Sequence, residues 1–599
     1  MVAIPELKYI LLALSWITEK RQQIHDSTAS RTQWDTEYDF IVVGAGSAGC
    51  VVANRLTEDP DVSVLLLEAG GAQDAIYNDI PAMKSEIGLN RPDLQWMYYN
   101  EPQIRAGKGY PGGYLPEFMG KTIGGSSSNN QLVFNRGNRR DYDIWAQEYG
   151  ASGWSFSEVL PFFKKFENNT DLSVVEANHG YHGTGGPIQI SSQISTARAL
   201  KLMEKAYHEL GFNSTDFNGP KQNGMSFYQK FINRNGFRSS NGNAYVDPNP
   251  HPNNLHIVTK ALVIRILFKG LTAIGVEFAK NDITYRVYAR KEVILSAGAL
   301  KTPQLLMLSG IGIKSHLSEF GIPVLLDLPV GNNFLNHVII GFAAQLKDPS
   351  LFEPIAKLDV PNLSQLYYER NGYLIGSSAL AVYFSSSNNI SKEWPNGLLF
   401  SVVANDSLYN TLIYTRTRSI GKIRLQSTSP YVQPRIDSAL LAEPQDFEDF
   451  VDSIRFIFSV LEKSSIAQYV TVPTFESLGC PPCQGKLNYE CEEGLRCMAQ
   501  MYSTSGLHPV GGCRMGAVDR SDVVVDPLLR LKNAENLRVC DNSVIPHIPN
   551  GNTNSPATMI GEKCAQIIKN FYGIKSSSFN INKNLKPYIF LLVLLYYLF

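Results

Sequence analysis

Three groups of residues in this 599-residue chain have the types and spacing to do chemistry. The first is Gly44-Ala45-Gly46-Ser47-Ala48-Gly49, with Glu68 nineteen positions beyond it. In such a loop the first glycine permits a tight turn and the second lets the backbone approach a pyrophosphate. The third lets the following helix pack closely on a strand. The helix start offers N–H donors and a partial positive charge to phosphates. An acid at the position of Glu68 can accept hydrogen bonds from an adenosine ribose. This much serves NAD or FAD equally. The second group is His508, one of ten histidines, in a His-Pro turn just ahead of Gly511-Gly512. Its unperturbed pKa of about 6.5 suits it to accept a proton near working pH. By itself a lone histidine is more often a structural or surface group. The third group is Cys480, Cys483, Cys491 and Cys497, within 18 positions. In an oxidising compartment they form two disulfides, with three connectivities open. Cys480-x-x-Cys483 also has zinc-ligand spacing. The disulfide reading is preferred, because both chain ends look secretory.

The elements that position these groups can be read from apolar runs. Asp39–Val43 reads as a buried strand, Ala48–Thr57 as a helix and Val62–Leu67 as a second buried strand, together a β-α-β unit around the glycine loop. Strand-like runs recur from Leu255 to Gly312, and a strand, a Gly/Asn/Pro loop and a helix over Ala557–Tyr572 follow Asn536. Residues 70–120 read as loop-rich, and 150–250 and 340–510 as mixed and aromatic. Nucleotide-type segments thus alternate with irregular ones, which predicts two interleaved domains. Arg136–Arg140, followed at once by Asp141 and Asp143, reads as a solvated helix start rather than an anion site. Glu443–Glu462 reads as an amphipathic helix.

Composition is that of an ordinary globular chain, 44% hydrophobic and 18% charged, and a net charge of −1 gives no electrostatic case for nucleic acid. Tyr9–Ile17 is a short apolar run after Lys8, the length of a secretory signal core and too short to span a bilayer. Ser576–Ser578, the polar spacer Phe579–Lys586 and the apolar tail Pro587–Phe599 follow the order of a glycosyl-phosphatidylinositol anchor signal. An uncleaved membrane-associating tail is the alternative. Either way the expected location is secreted or on the outer face of a membrane. Five sequons, at Asn168, Asn213, Asn362, Asn389 and Asn405, are near the number chance gives.

Four further motifs separate FAD from NAD. Gly120–Asn130 (GKTIGGSSSNN) is followed by Arg136–Asp143 (RGNRRDYD). Ser296–Gly312 reads SAGALKTPQLLMLSGIG, Ser505–Gly516 reads SGLHPVGGCRMG, and Gly551–Lys563 reads GNTNSPATMIGEK. In these the chain resembles the glucose–methanol–choline (GMC) oxidoreductase family, in particular its insect glucose-dehydrogenase-like members. The resemblance covers roughly residues 37–572. It implies an α/β (α+β) fold, with a Rossmann-like FAD-binding domain interleaved with a substrate domain built on an antiparallel sheet with helices. The corresponding segments are 37–150, 255–335 and 513–572 for FAD, and 151–254 and 336–512 for substrate. Residues 1–36 are then a leader and 573–599 the tail. By the same resemblance Gly44, Gly46, Ser47, Ala48, Gly49 and Glu68 bind the ADP half of FAD. Thr122, Gly125 and Asn130 line the flavin and ribityl chain, Val263 meets the adenine, and Asp541 and Asn552 close over the pyrophosphate and isoalloxazine. His508 takes the alcohol proton, and Asn554 matches the second catalytic position. Asn129 stands where some members carry a flavin-linking histidine, so the FAD is expected to be non-covalent. The implied activity is oxidation of an alcohol or sugar hydroxyl to a carbonyl, with a quinone or oxygen as electron acceptor and no metal. A non-redox lyase or a lapsed flavoprotein on the same scaffold is the second reading, and the intact His508 motif argues against lapse.

Overall fold

The computed structural model describes residues 31–192, 197–376, 378–387 and 391–575. The expected signal core, the C-terminal tail and Asn389 lie outside the described residues. Among the described residues no helix is long and apolar enough to cross a membrane.

Two seven-stranded sheets organise the chain. The first runs in the order Leu255–Val258, Val64–Leu67, Glu37–Val43, Ile283–Leu295, Thr272–Lys280 and Leu262–Lys269, with Leu537–Val539 also beside Ile283–Leu295. Its centre is parallel: Val42 lies opposite Leu66 on one side and Ile294 on the other. Such strands bury both faces, which explains the unbroken apolar runs. Phe40, Ile41, Val42 and Val64 through Leu66 are all fully buried. The helix Ser47–Leu56 packs on Asn554–Tyr572, where Gly561 allows the approach; a Cβ there would sit 2.8 Å from the Ala48 carbonyl. The amphipathic helix spans Pro444–Lys463.

The second sheet is antiparallel throughout, in the order Val470–Thr471, Val338–Leu346, Ser407–Tyr414, Gly397–Ala404, Leu380–Phe384 and Gly224–Phe227, with Thr504–Ser505 beside Val338–Leu346. Alternation along the strands splits its side chains between two faces. Leu380, Val382, Leu399 and Leu412 join the core formed with Phe450 and Ile454 of Pro444–Lys463. Ala381, Tyr383, Leu398 and Ile413 form the other face with Phe217. The Tyr383 hydroxyl ties that face to the nucleotide-type segments: it accepts from the Asn135 amide (2.7 Å) and donates to the Asn550 carbonyl (2.9 Å).

Two expectations need correction. Residues 70–120 are not only loop. Gln95–Asn100 and Leu115–Gly120 form a hairpin in a four-stranded sheet with Lys422–Arg424 and Arg435–Asp437. The strand QWMYYN is broken by polar residues, and two of its partner strands lie over 300 positions away, so periodicity alone passes it over. Arg136 does not begin a solvated helix. It is fully buried and ion-paired with buried Glu167, and the helix starts at Arg139 behind an Asn138 cap. The cysteine cluster closes as the preferred two disulfides, Cys480–Cys497 and Cys483–Cys491, which take up all four thiols in place of the zinc alternative. A third, unforeseen disulfide, Cys540–Cys564, joins the segment after Leu537–Val539 to the last helix.

Candidate active site

The glycine loop is built as its spacing predicts. Gly44 has φ +99°, and a Cβ there would meet the Ser296 carbonyl at 2.5 Å. A Cβ on Gly49 would lie 1.9 Å from the Gly44 carbonyl, so only glycine lets the helix start this close to the strand. Gly46 differs: the nearest atom to a Cβ there is 3.9 Å away, and Gly298 has none within 4 Å. Those two backbones form the open floor of a groove lined by Gly44, Gly46, Glu68, Val263, Gly125 and Asp541. Ser47 and Ala48 line it at the helix start. Its far end is lined by Leu507 and Pro509, which flank His508, and by Thr553.

The two acids of the groove are held from behind. Glu68 accepts from the N–H groups of Ala45 (2.9 Å) and Gly70 (2.8 Å). Burial pushes its pKa up to about 7 against the pull of those donors. Each oxygen keeps a second lone pair for a ribose hydroxyl. Asp541 accepts from Gly298 N (2.8 Å), Thr302 Oγ1 (2.6 Å) and Ser543 N (2.8 Å), and burial raises its pKa too.

Other predicted residues take supporting positions. The Thr122 hydroxyl is committed to the Gly71 carbonyl (3.0 Å). Asn130 accepts from Arg238 through both its side chain and its carbonyl (2.9 and 3.0 Å), so it ties the loop to a buried guanidinium. Asn129 donates to the Leu94 carbonyl (2.8 Å) and accepts from Asn78 (2.7 Å), a loop-fixing role in place of a nucleophilic one.

At the far end Asn552, and not Asn554, meets the histidine. Asn552 Nδ2 lies 3.0 Å from His508 Nε2. Asn554 sits at the first turn of the last helix, where its Oδ1 accepts from Ser47 Oγ (2.8 Å) beside the glycine loop. The two amides thus exchange the places expected of them, because the chain enters a helix between them and each faces a different way. His508 Nδ1 lies 3.0 Å from Nδ1 of His337, a residue the sequence did not single out. Burial holds the His508 imidazole down to about 4, and burial with the neighbouring ring holds buried His337 well below its usual value. Both rings are therefore neutral at working pH. With the Asn552 amide donating to Nε2, His508 carries its proton on Nδ1 and donates it to His337. His337 in turn keeps its own proton on Nε2, a buried atom with no hydrogen-bond partner among the described residues. This tautomer turns a lone pair of His508 toward the amide.

The turn that carries His508 is fixed from one side. His508 N donates to Asn336 Oδ1 (3.0 Å), Gly506 N to the His337 carbonyl (2.8 Å), and Leu507 N to Ser505 Oγ (3.1 Å). Beneath them the fully buried Glu117 carboxyl accepts from Ser505, from Asn336 (3.2 Å) and from Asn100 (3.1 Å). With no cation beside it among the described residues, burial pushes Glu117 up to about 7. Glu117, Asn336 and His337 come from segments far from residue 508, so no spacing could reveal them.

An FAD-sized dinucleotide suits these residues. The floor is open where a pyrophosphate must pass, Glu68 stands at one end, and the buried Asn542 Oδ1 and Asn552 Oδ1 toward the other have no partner. Family models described as GMC oxidoreductase match residues 38–339 and 417–561. Ecdysone oxidase of Bombyx mori is 33% identical over 91% of this chain and 84% of its own length. Glucose dehydrogenase [FAD, quinone] of Drosophila melanogaster is 33% identical over 92% and 89%. Oxygen-dependent choline dehydrogenase 1 of Chromohalobacter salexigens is 33% identical over 89% and 95%. Among solved structures, formate oxidase from Aspergillus oryzae superposes with a TM-score of 0.79 at 25% identity, over 90% of this chain and 100% of that one. Pyridoxine 4-oxidase from Mesorbium loti gives 0.76 at 26%, over 88% and 98%. A glycine-floored groove lined by the neighbours of His508, in a chain matched over most of its length, is that of an FAD-dependent oxidoreductase acting on CH–OH donors: the chain belongs to the GMC oxidoreductase family.

Proposed function

We propose that this chain oxidises a primary or secondary alcohol, or a sugar hydroxyl, to a carbonyl, with His508 as the base and Asn552 as its partner. The observation that carries this reading is the orientation of His508: one ring nitrogen is committed to His337, and the other faces the Asn552 amide beside the groove end lined by Leu507, Pro509 and Thr553. FAD, held without a covalent link, supplies the hydride acceptor. The residues do the rest. On binding, the substrate oxygen takes over the Asn552 N–H that pointed at His508 Nε2, which frees the Nε2 lone pair and orients the carbinol carbon. His508 Nε2 takes the hydroxyl proton as the C–H bond breaks, and His337 and Asn336 keep the ring from turning. Glu68, Asp541 and the Gly44–Gly49 loop hold the cofactor, and Asn554 sets the Ser47 hydroxyl beside it.

Resemblance to the Drosophila enzyme favours a quinone as acceptor. The three disulfides favour an oxidising, extracellular location, where a processed or membrane-attached C-terminus would operate. Anaerobic addition of a broad alcohol panel tests the redox reading. The yellow absorbance should bleach with at least one alcohol, and reoxidation with oxygen and quinones side by side then assigns the acceptor. A panel that bleaches nothing refutes it.

A further inference from the structure

Two ammonium groups share one indole at the rim of the cofactor groove. Lys121 Nζ lies 4.4 Å from the centre of the Trp96 ring and Lys301 Nζ 4.7 Å from the same centre. Trp96 and Lys301 line the groove together with Gly46, Glu68 and Gly298. Lys121 follows the strand Leu115–Gly120, and its carbonyl packs so tightly on Gly70 that a Cβ there would sit 1.9 Å away. This fixes the Lys121 backbone beside the turn after Glu68, and the lysine's charge is felt by the Glu68 carboxyl. Neither lysine is ion-paired among the described residues. Lys301 donates to Gln304 Oε1 (3.0 Å) and to the Pro430 carbonyl (3.4 Å), both neutral acceptors. Asp93, which also feels Lys121, is taken by Arg91 at 2.8 Å. Burial and then the charge of Lys121 press Lys301 down to about 8. Two like charges held side by side without a direct ion pair cost free energy unless an anion joins them. The indole accounts for part of this by cation–π attraction but supplies no negative charge. Among the described residues the acids lining the groove are Glu68 and Asp541, and both are already turned to backbone donors.

We infer that Lys121 and Lys301, both braced on Trp96, form a cationic clamp on the phosphates of FAD, opposite the glycine loop. The inference rests on the FAD reading of the groove. It adds that recognition comes from both walls: backbone N–H groups on the glycine side, and two side-chain charges on the other. The clamp selects for the diphosphate and leaves the isoalloxazine unread.

The test is FAD release from the holoenzyme, followed by the rise in flavin fluorescence, for wild type, Lys301→Gln, Lys121→Gln and Lys301→Arg at low and high salt. Each glutamine variant should weaken FAD about tenfold at low salt, as expected for loss of one charge-assisted contact. The gap to wild type should close at high salt, where screening already weakens the clamp, and Lys301→Arg should restore most of the loss. In direct binding to the flavin-free proteins, the ADP dissociation constant should rise in the glutamine variants as that of FAD does, whereas the riboflavin dissociation constant should be equal in all. FAD dissociation constants and salt slopes equal to wild type in both glutamine variants would overturn the clamp. So would an equal loss of riboflavin and ADP binding, which would mark a general defect of the groove. If one glutamine variant fails to fold, the other and the arginine variant decide. Failure of the alcohol reading would appear separately, as wild-type enzyme that no alcohol bleaches, and would leave these dissociation constants untouched.

Discussion

The two ends of the groove are made in opposite ways. The glycine-loop end is one contiguous stretch of backbone, in which Gly44 and Gly49 shape the turn, Gly46 leaves an open floor and Glu68 follows at the end of the next strand. The His508 end is assembled from side chains of four distant segments: Glu117, Asn336 with His337, Ser505 to His508, and Asn552. A site made of backbone tolerates almost no change at its glycines and is indifferent to many side chains. A site made of side chains survives mutation as a fold but loses its chemistry. Mutations at the two ends should therefore fail differently.

The largest effect is expected at the backbone end. In Gly49→Ala the new methyl group would collide with the Gly44 carbonyl, and that atom cannot move without undoing the parallel sheet. The variant should carry no flavin absorbance and lose about 3 kcal/mol or more of stability. A yellow, stable protein would break the contrast at once. At the other end, His508→Ala should stay yellow and lose about 10²- to 10⁴-fold in kcat/KM. Because burial holds the imidazole down to about 4, wild-type kcat/KM should stay flat well below pH 6.5 and fall only as the pH nears 4. An acid limb at 6.5 or above would contradict that environment. Next in size, Asn552→Ala should cost about 10- to 100-fold in turnover, whereas Asn554→Ala should act first on FAD retention through Ser47. The reverse pattern would restore the catalytic role to Asn554. His337→Asn should cost about tenfold in kcat, with a changed pH profile, since it frees the tautomer of His508.

The smallest expected effect concerns stability. His182 bridges Glu167 (2.7 Å) and Asp216 (2.8 Å) beside buried Arg136. Burial alone would lower its pKa, but the two carboxylates outweigh burial and raise it. A raised folded pKa gives stability that is complete below about 6.5 and is lost as the pH rises through the folded value. The Tm advantage of wild type over His182→Gln should therefore shrink on going from pH 6 to 9, by on the order of 1 °C for a chain of this size. An advantage that grows with pH would contradict the assigned charge.

What could be read in the sequence follows the same divide. The strand Glu37–Val43, the glycine loop and Glu68 are visible because their physics is local: apolar runs, glycine spacing and a β-α-β period. Asn552 and Asn554 are only two positions apart in a Gly/Asn loop, and their facing depends on where the last helix begins, which is Asn554 and not Ala557. His337 touches His508 across 171 positions. Glu117 lies in a strand that residues 70–120 did not announce, and Arg136 reads as solvated until its partner Glu167 is known. Burial of a polar group is decided by partners brought from elsewhere, and that is the information a local pattern lacks.

The most direct test of the central claim is anaerobic mixing of holoenzyme with an alcohol, with flavin absorbance followed in wild type and His508→Ala at saturating substrate. The account predicts rapid bleaching in wild type and, in a variant of the same initial colour, bleaching slowed at least 100-fold. Equal rates in the two proteins would contradict it.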